Sequence, residues 1–299
     1  MSTTISKPVR NLAVRNVERQ SVDEIEQLLL HADCLAGLYY PTSADDQNMK
    51  VENRTADTPL PVPPEPFWHW YGKTEADYLQ SGQAQAAKFK SAAQAHGVAF
   101  APGTRVLDFG CSGGRMIRWF VDDARNGVDV WGCDIDAAAI DWCQKNMSPP
   151  LNFFSNTTSP HLPVPDGFFD FIYAGSVFTH IKDMSTSWLL ELARCTAPGG
   201  VVVCTITDEH SLEGMKNLAA ERGAEAPRGA HYILENGITA EFLRERGYVS
   251  RESSPWWIGI FYSSEFFVRR AEMAFDLIDL VPNFFGFQTG VVLTPRLRR

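Results

Sequence analysis

The residues with the most chemical potential stand in the run Val106-Leu107-Asp108-Phe109-Gly110-Cys111-Ser112-Gly113-Gly114-Arg115. An apolar segment ends in an acid, passes through a glycine-rich turn and continues into a helix-like segment. Small residues at such a turn let the backbone bend sharply and let a ligand lie directly against it. The spacing is G-x-x-G-G, not G-x-G-x-x-G, so it does not spell a pyrophosphate cradle. The plain alternative is a tight strand-to-helix corner. A second acid, Asp134, closes the run Trp131-Gly132-Cys133, about two dozen residues beyond Gly110. A carboxylate at a strand tip can accept hydrogen bonds from two neighbouring hydroxyls of a ligand. Asp136, two positions on, reads as the cap of the next helix.

The elements that must position these groups show in the hydrophobic pattern. Short apolar runs at 104–109, 129–133, 151–155, 169–174 and 200–206 predict five buried strands. Helix-period segments at 116–125, 137–146 and 184–196 lie between them, the last with Met184, Trp188 and Leu192 on one face. Strands alternating with helices predict a parallel sheet covered on both sides. Pro198-Gly199-Gly200 is expected to stop the last helix and turn the chain into the fifth strand. Runs at 274–281 and 287–293 suit late strands at one sheet edge, and 212–222 and 239–246 read as helices.

Ahead of the sheet, residues 1–100 read as a mostly helical preface broken by a loop. Ser21-Val22-Asp23-Glu24 resembles a capping box, followed by Ile25, Leu28, Leu29 and Leu35 at helical spacing. Residues 41–66 are polar and proline-rich and end in Phe67-Trp68-His69-Trp70-Tyr71. A second amphipathic helix is expected over 74–96.

Composition excludes several classes of function. The chain has 299 residues, 44% hydrophobic and 21% charged, enough for a core and too apolar for wholesale disorder. A formal net charge of −9 argues against a nucleic-acid partner, whose phosphates call for a basic face. No apolar run approaches the roughly 20 residues of a membrane span, and the polar start has no signal-like apolar stretch. A cytoplasmic protein with no membrane partner is expected. Cys34, Cys111, Cys133, Cys143, Cys195 and Cys204 form no C-x-x-C pair, and no histidine spacing suits a metal, so no metal site is expected.

With these motifs in place, the sequence resembles the Rossmann-like, S-adenosylmethionine-dependent methyltransferases. Their first motif runs apolar-apolar-D-x-G-x-G-x-G; Asp108, Gly110 and Gly114 fall in register with it, and Ser112 stands for the middle glycine. Leu162-Pro163-Val164-Pro165-Asp166-Gly167-Phe168-Phe169-Asp170 is similar to the family's L-P-x-P-D-x-x-F-D, and Ala197-Pro198-Gly199-Gly200 to its P-G-G corner.

The resemblance implies an α/β fold: a doubly wound, mostly parallel seven-stranded sheet with helices on both faces. An N-terminal helical extension (1–100) would precede a catalytic domain (101–299) carrying an insert or lid at 208–270. S-adenosylmethionine is the implied cofactor. Asp108, Gly110, Cys111, Ser112 and Gly114 would cradle it, with Asp134 on the ribose and Ile135 against the adenine. Asn156, with Thr157 beside it, would meet the adenine amine, or else shape a turn. Ser176 and, ahead of the sheet, Tyr78 and Gly82 would face the methionine end. His180 would draw a proton from the acceptor, or else hydrogen-bond locally. Trp68, Trp70, Tyr71, Trp256 and Trp257 are candidate acceptor walls, although aromatic clusters also build cores. The implied acceptor is a small polar molecule, a sugar, glycan or metabolite, methylated on O or N. A nicotinamide oxidoreductase, a non-catalytic cofactor-binding protein and a protein or RNA methyltransferase are the alternatives.

Overall fold

The computed structural model describes residues 59–69, 71–182, 184–223, 228–254 and 257–296, apart from the side chains of residues 228 and 252–258. The expected capping box at Ser21, the helical pattern through Leu35, Trp70 and Trp256 lie outside the described residues, as does the Trp257 side chain.

The strands are β1 (Arg105–Phe109), β2 (Asp129–Asp134), β3 (Asn152–Ser155), β4 (Phe169–Ala174), β5 (Thr196–Ile206), β6 (Tyr248–Ser254), β7 (Trp257–Tyr262), β8 (Phe275–Phe285) and β9 (Gln288–Pro295). The α-helices are α1 (Glu75–Ala95), α2 (Val121–Arg125), α3 (Ala137–Met147), α4 (Ser185–Cys195), α5 (Glu209–Arg222), α6 (Arg228–Glu235), α7 (Ala240–Arg246) and α8 (Ser264–Ala271). Seven strands form one sheet in the order β3-β2-β1-β4-β5-β9-β8. The first five are parallel, and β9 runs antiparallel between β5 and β8.

Strand periodicity explains why helices cover both faces. In β5, Val201 and Val203 point to one side, where Phe89 of α1 and Ile140, Cys143 and Met147 of α3 pack. Val202, Cys204 and Ile206 point to the other, against Trp188, Leu189 and Leu192 of α4 and Phe267 of α8. Fully burying one such large apolar side chain contributes about 1.5–3 kcal/mol, so each face is a core in its own right. The chain winds outward from β1 through β2 to β3, then returns to lay β4 on the other side of β1. The carboxyl ends of β1 and β4 therefore flank the switch point, where open parallel sheets bind ligands.

Local sequence sets the helix ends. Thr74 caps α1 by accepting from the Asp77 amide at 3.2 Å, while the Asp77 carboxylate accepts from the Thr74 amide at 3.1 Å. Three expectations need correcting. Residues 116–125 form a 3-10 turn (Ile117–Phe120) and then the short α2. Met184 precedes α4 instead of sharing its buried face, and is 42% exposed. Helix α4 ends at Cys195, three residues before Pro198, because β5 begins at Thr196. Pro198-Gly199-Gly200 forms a bulge, since Phe169 faces Thr196 while Phe171 already faces Val201, with Gly199 at φ 77°.

After Thr207 the chain builds a satellite core from Leu212, Met215, Ala230, Ile233, Leu243 and Phe261. Its β6–β7 hairpin was not legible in the sequence. The hairpin joins the main body where the Tyr262 amide donates to the Thr207 carbonyl at 2.8 Å and the Tyr262 hydroxyl to the Ile181 carbonyl at 2.7 Å. No helix among the described residues is long and apolar enough to cross a membrane.

Gly82 marks the closest helix approach to the switch point. A methyl group there would lie 2.4 Å from the Arg115 carbonyl oxygen, a backbone atom that cannot swing away. Gly82→Ala is therefore expected to lower stability by about 1–3 kcal/mol. The urea midpoint measures it; an unchanged midpoint would show that α1 is not pinned there.

Candidate active site

At the switch point the β1 turn is held by charge and backbone geometry together. Gly110 leaves β1 at φ 85°, and a side chain there would collide with Val177 after β4. Ser112 takes the left-handed conformation (φ 47°), which aims its amide at the Asp134 carboxylate at 2.7 Å. The other Asp134 oxygen accepts from the Asp136 amide at 2.9 Å. Burial, opposed by those two amides, holds the Asp134 carboxyl above its ordinary value. Each carboxylate oxygen has a further lone pair, so Asp134 can still accept from a ligand. Asp136 caps α3, accepting from the Ala138 and Ala139 amides.

The remaining candidate residues gather around this turn to different degrees. Asn156 is buried; its amide nitrogen donates to the Thr157 carbonyl at 3.0 Å, while its side-chain oxygen has no partner. Ile135 beside it is 40% exposed, an apolar surface at the tip of β2. The Thr157 hydroxyl accepts from the Ser159 amide. Cys111 is buried, and burial, reinforced by Cys143 and Asp108, pushes its thiol up. Gly114, at φ 79°, packs on Met147. Gly82 abuts the Arg115 backbone and is not part of the cavity lining described next.

Residues 59–69 and 71–73 lie over the turn as a strap. Phe67, Trp68, His69, Tyr71 and Tyr78 enclose a cavity of about 40 Å³ with Gly110, Cys111, Ser112, Arg115, Met116 and Gly175. Trp68 stacks on Tyr78 at 5.3 Å, and its indole donates to the Pro63 carbonyl at 2.8 Å. Arg118 is buried and donates to the Leu60 and Pro61 carbonyls at 2.9 and 2.6 Å, hooking the strap to the sheet domain. A larger groove of about 450 Å³ lies between α1 and β8–β9, lined by residues such as Ala92, Val281 and Val292. The smaller cavity is the candidate site, because it sits on the glycine turn and the Tyr78 hydroxyl of its lining is buried with no hydrogen-bond partner among the described residues.

Two features carry the strongest electrostatic signal. Asp108 is fully buried, and among the described residues neither carboxylate oxygen has a hydrogen-bond partner, although Tyr173 and Arg115 lie near enough to interact. Burial outweighs those two and raises its pKa from 3.8 to about 7. The second is a closed polar ring at the end of β4, which sequence reasoning missed. The Ser176 amide donates to the Thr205 hydroxyl at 2.7 Å, and that hydroxyl donates to the Gln288 side-chain oxygen at 2.6 Å. The Gln288 side-chain nitrogen returns to the Ser176 hydroxyl at 2.9 Å, and that hydroxyl lies 3.1 Å from the Thr179 hydroxyl. Ser176 adopts φ 61° here. The one sequence signal was a glutamine inside the apolar run 287–293. His180 ends the 3-10 turn Phe178–His180 with its side chain exposed.

The L-P-V-P-D stretch plays a structural part. Arg194 of α4 donates to the Leu162 and Val164 carbonyls and to Asp166, all within 3.0 Å, so the loop entering β4 is pinned.

A family model described as "Methyltransferase domain" matches residues 78–249, more than half of the chain. The chain belongs to that methyltransferase family. Its fold is the family's Rossmann-like one, and S-adenosylmethionine is the cofactor. A demethylmenaquinone methyltransferase from Bacillus licheniformis is 30% identical over 117 residues, 39% of this chain and 50% of the relative. A 2-methyl-6-phytyl-1,4-hydroquinone methyltransferase from Synechocystis is 31% identical over 103 residues, 34% of this chain and 31% of the relative. The chain thus spans about half, or less, of the length of these curated relatives. A solved S-adenosylmethionine-dependent methyltransferase from Clostridium acetobutylicum superposes with a TM-score of 0.52 at 11% identity, covering 77% of this chain and 98% of that one. At that identity the likeness speaks for the fold.

The Asp108 carboxyl makes a signed prediction. Folded, it keeps its proton up to about pH 7, whereas in the unfolded chain it ionises near 3.8, so between those values the folded state binds more protons. Its contribution to stability therefore falls as pH rises from about 4 to about 7 and is flat above. The loss is on the order of 3–4 kcal/mol. Asp108→Asn should remove that slope, so the wild-type-minus-variant stability difference should shrink with pH across this window. Urea unfolding at pH 4, 5.5 and 7.5 checks it, and a constant difference would mean the carboxyl is not desolvated.

Proposed function

We propose that the protein transfers a methyl group from S-adenosylmethionine to an oxygen or nitrogen atom of a small polar acceptor, with sugars, glycans and polar metabolites as the class. One observation carries the reading: the buried Asn156 side-chain oxygen, without a partner among the described residues, lies beside the Asp134 carboxylate that holds the β1 turn, the Asn156 amide donating to the Asp134 carbonyl at 3.1 Å. These acceptors match what a nucleoside offers, an exocyclic amine and two ribose hydroxyls. Ile135 and Thr157 complete the base side of that subsite, with Ile135 packing against the adenine face. On the opposite side, Tyr78, Gly110, Cys111 and Gly175 border the methionine end, and Ser176 stands beside them.

When bound, the donor supplies an electrophilic methyl on a sulfonium with a neutral leaving group. The chain's residues then have to orient the acceptor in line and keep water away. Ser176, Thr179 and Gln288 offer hydroxyl and amide groups to a polar acceptor at the end of β4. His180, exposed at the close of the same turn, takes the proton that the acceptor loses. The strap with Trp68 and Tyr71 and the described part of the segment 208–270 wall the acceptor side. A net charge of −9 favours a small acceptor over a nucleic acid. A hydroquinone ring is the second reading of the acceptor, favoured by the names of the two relatives.

Asp134→Ala is expected to weaken binding of S-adenosylhomocysteine at least tenfold by calorimetry. Wild-type affinity in that variant would remove Asp134 from the ribose subsite. His180→Ala should lower turnover of labelled methyl donor at least tenfold with donor affinity unchanged; equal turnover at every pH would retire it as a base. The acceptor panel should hold both sugars and hydroquinones, and product formed only from the latter would overturn the first reading.

A further inference from the structure

Ser176 is a serine in a backbone conformation that favours glycine, at φ 61°, and three side chains hold it there. Its amide donates to the Thr205 hydroxyl of β5, its carbonyl accepts from the Thr179 hydroxyl at 2.8 Å, and its own hydroxyl accepts from the Gln288 side chain of β9. Thr205 is fully buried, and Thr179 and Gln288 nearly so. Glycine at this position would carry no backbone penalty, but it would leave nothing for Gln288 to hold. A strained residue that its surroundings over-determine points to a functional role for its side chain.

Proton accounting gives the Ser176 hydroxyl a direction. Thr205 accepts from the Ser176 amide and spends its own proton on the Gln288 side-chain oxygen. The Gln288 nitrogen is then the group that donates to Ser176 Oγ. The opposite amide orientation would strand the Thr205 proton in a fully buried place, at the cost of an unmade hydrogen bond. Thr179 spends its proton on the Ser176 carbonyl, so in its 3.1 Å contact with Ser176 Oγ it accepts and Ser176 donates. A hydroxyl has one proton and two lone pairs. Ser176 has committed its proton and one lone pair within the ring. The second lone pair belongs to a half-buried residue next to Gly175, which lines the small cavity.

We propose that Ser176 is a specificity-determining residue that accepts a hydrogen bond from the methyl acceptor, with Gln288 and Thr179 as positioning residues that keep its proton turned away. An oxygen held in that way recognises a donor and repels an anion. The molecules that fit present an O–H or N–H to Ser176, whereas a carboxylate at that place meets a lone pair. Because the proton on the reacting atom goes to His180, the hydrogen bond to Ser176 comes from a second group on the same molecule. The substrate class narrows to molecules with at least two such groups, such as polyols, amino sugars or dihydroxy rings. This deepens the reading of a small polar acceptor and rests on it.

The test compares turnover of labelled methyl donor across two series of compounds. One is methyl glucoside, its monodeoxy analogues and methyl glucuronide; the other is hydroquinone, phenol and 4-hydroxybenzoate. In a series that is methylated, the wild type is expected to favour the compound with both donors at least tenfold in kcat/KM. The comparison is with a compound that keeps the methylated position but lacks the second donor or carries a carboxylate instead. Ser176→Gly should bring these within threefold. Thr179→Val releases the Ser176 proton toward the acceptor, so it should narrow the gap between hydroxyl and carboxylate compounds at least threefold, and Thr179→Ser should restore it. A general loss of stability would lower all compounds in parallel and leave these ratios alone. Equal wild-type values within a series, or a ratio that either Ser176→Gly or Thr179→Val leaves unmoved, overturn the proposal while the acceptor reading stands. If Ser176→Gly does not fold, the wild-type ratio and the Thr179 pair decide it. No product from either series would instead overturn the acceptor reading, and this inference with it.

Discussion

The structure depends on one short hydrogen bond, from the Ser112 amide to the Asp134 carboxylate at 2.7 Å. It joins the turn after β1 to the tip of β2 and holds Ser112 in a backbone conformation that a non-glycine residue rarely adopts. The Cys111 and Cys143 thiols both donate to the Ser112 carbonyl, at 3.6 and 3.5 Å, and so fix the same peptide from the other side. With the turn held, Gly113 faces the strap. A side chain there would strike Phe67 and Pro63, so the strap's close approach requires the missing Cβ. The cavity, the strap and the Arg115 placement all inherit their geometry from this turn.

A second constraint is electrostatic. Arg118 and Arg115, four and one residues past the turn's last glycine, enter the core beside the strap. Both are held below their ordinary pKa by burial. Arg118 answers burial by binding main-chain carbonyls of the strap, which fastens the N-terminal segment. Arg115 answers it with a ring face and neutral partners. Asp108 has only the nearby Tyr173 and Arg115 to offset burial, and among the described residues neither of its oxygens has a hydrogen-bond partner. Unmet polar groups in a native core are rare, and each calls for a reason.

The strand tips were legible because chemistry and position coincide there. A buried parallel strand is an apolar run, so its end shows as the first acid or glycine, and Asp108, Gly110 and Asp134 could be placed before any coordinates. The L-P-V-P-D stretch was equally visible, though its reason, the Arg194 hydrogen bonds, was not. The β6–β7 hairpin was not legible: Ser250-Arg251-Glu252-Ser253-Ser254 lacks apolar alternation, and pairing with β7 supplies what local pattern does not. The end of α4 was misplaced because the Pro-Gly-Gly signal is real but marks a bulge inside β5.

The sequence alone determined the parallel sheet covered on both sides, the glycine turn and the acids at the strand ends, since each follows from local periodicity and from residues adjacent in the chain. Tertiary structure decided everything built from distant segments. Gln288 meets Ser176 across 112 residues, and Arg118 meets Leu60 across 58. No local propensity encodes such pairs; they arise where the sheet's winding brings β9 beside β5 and lays the N-terminal strap on the β1 turn. Whether a buried charge is satisfied or left open for a ligand is likewise a property of packing. For this reason Arg115 reads as an ordinary helix residue in the sequence and as a buried cation held by neutral partners in the fold.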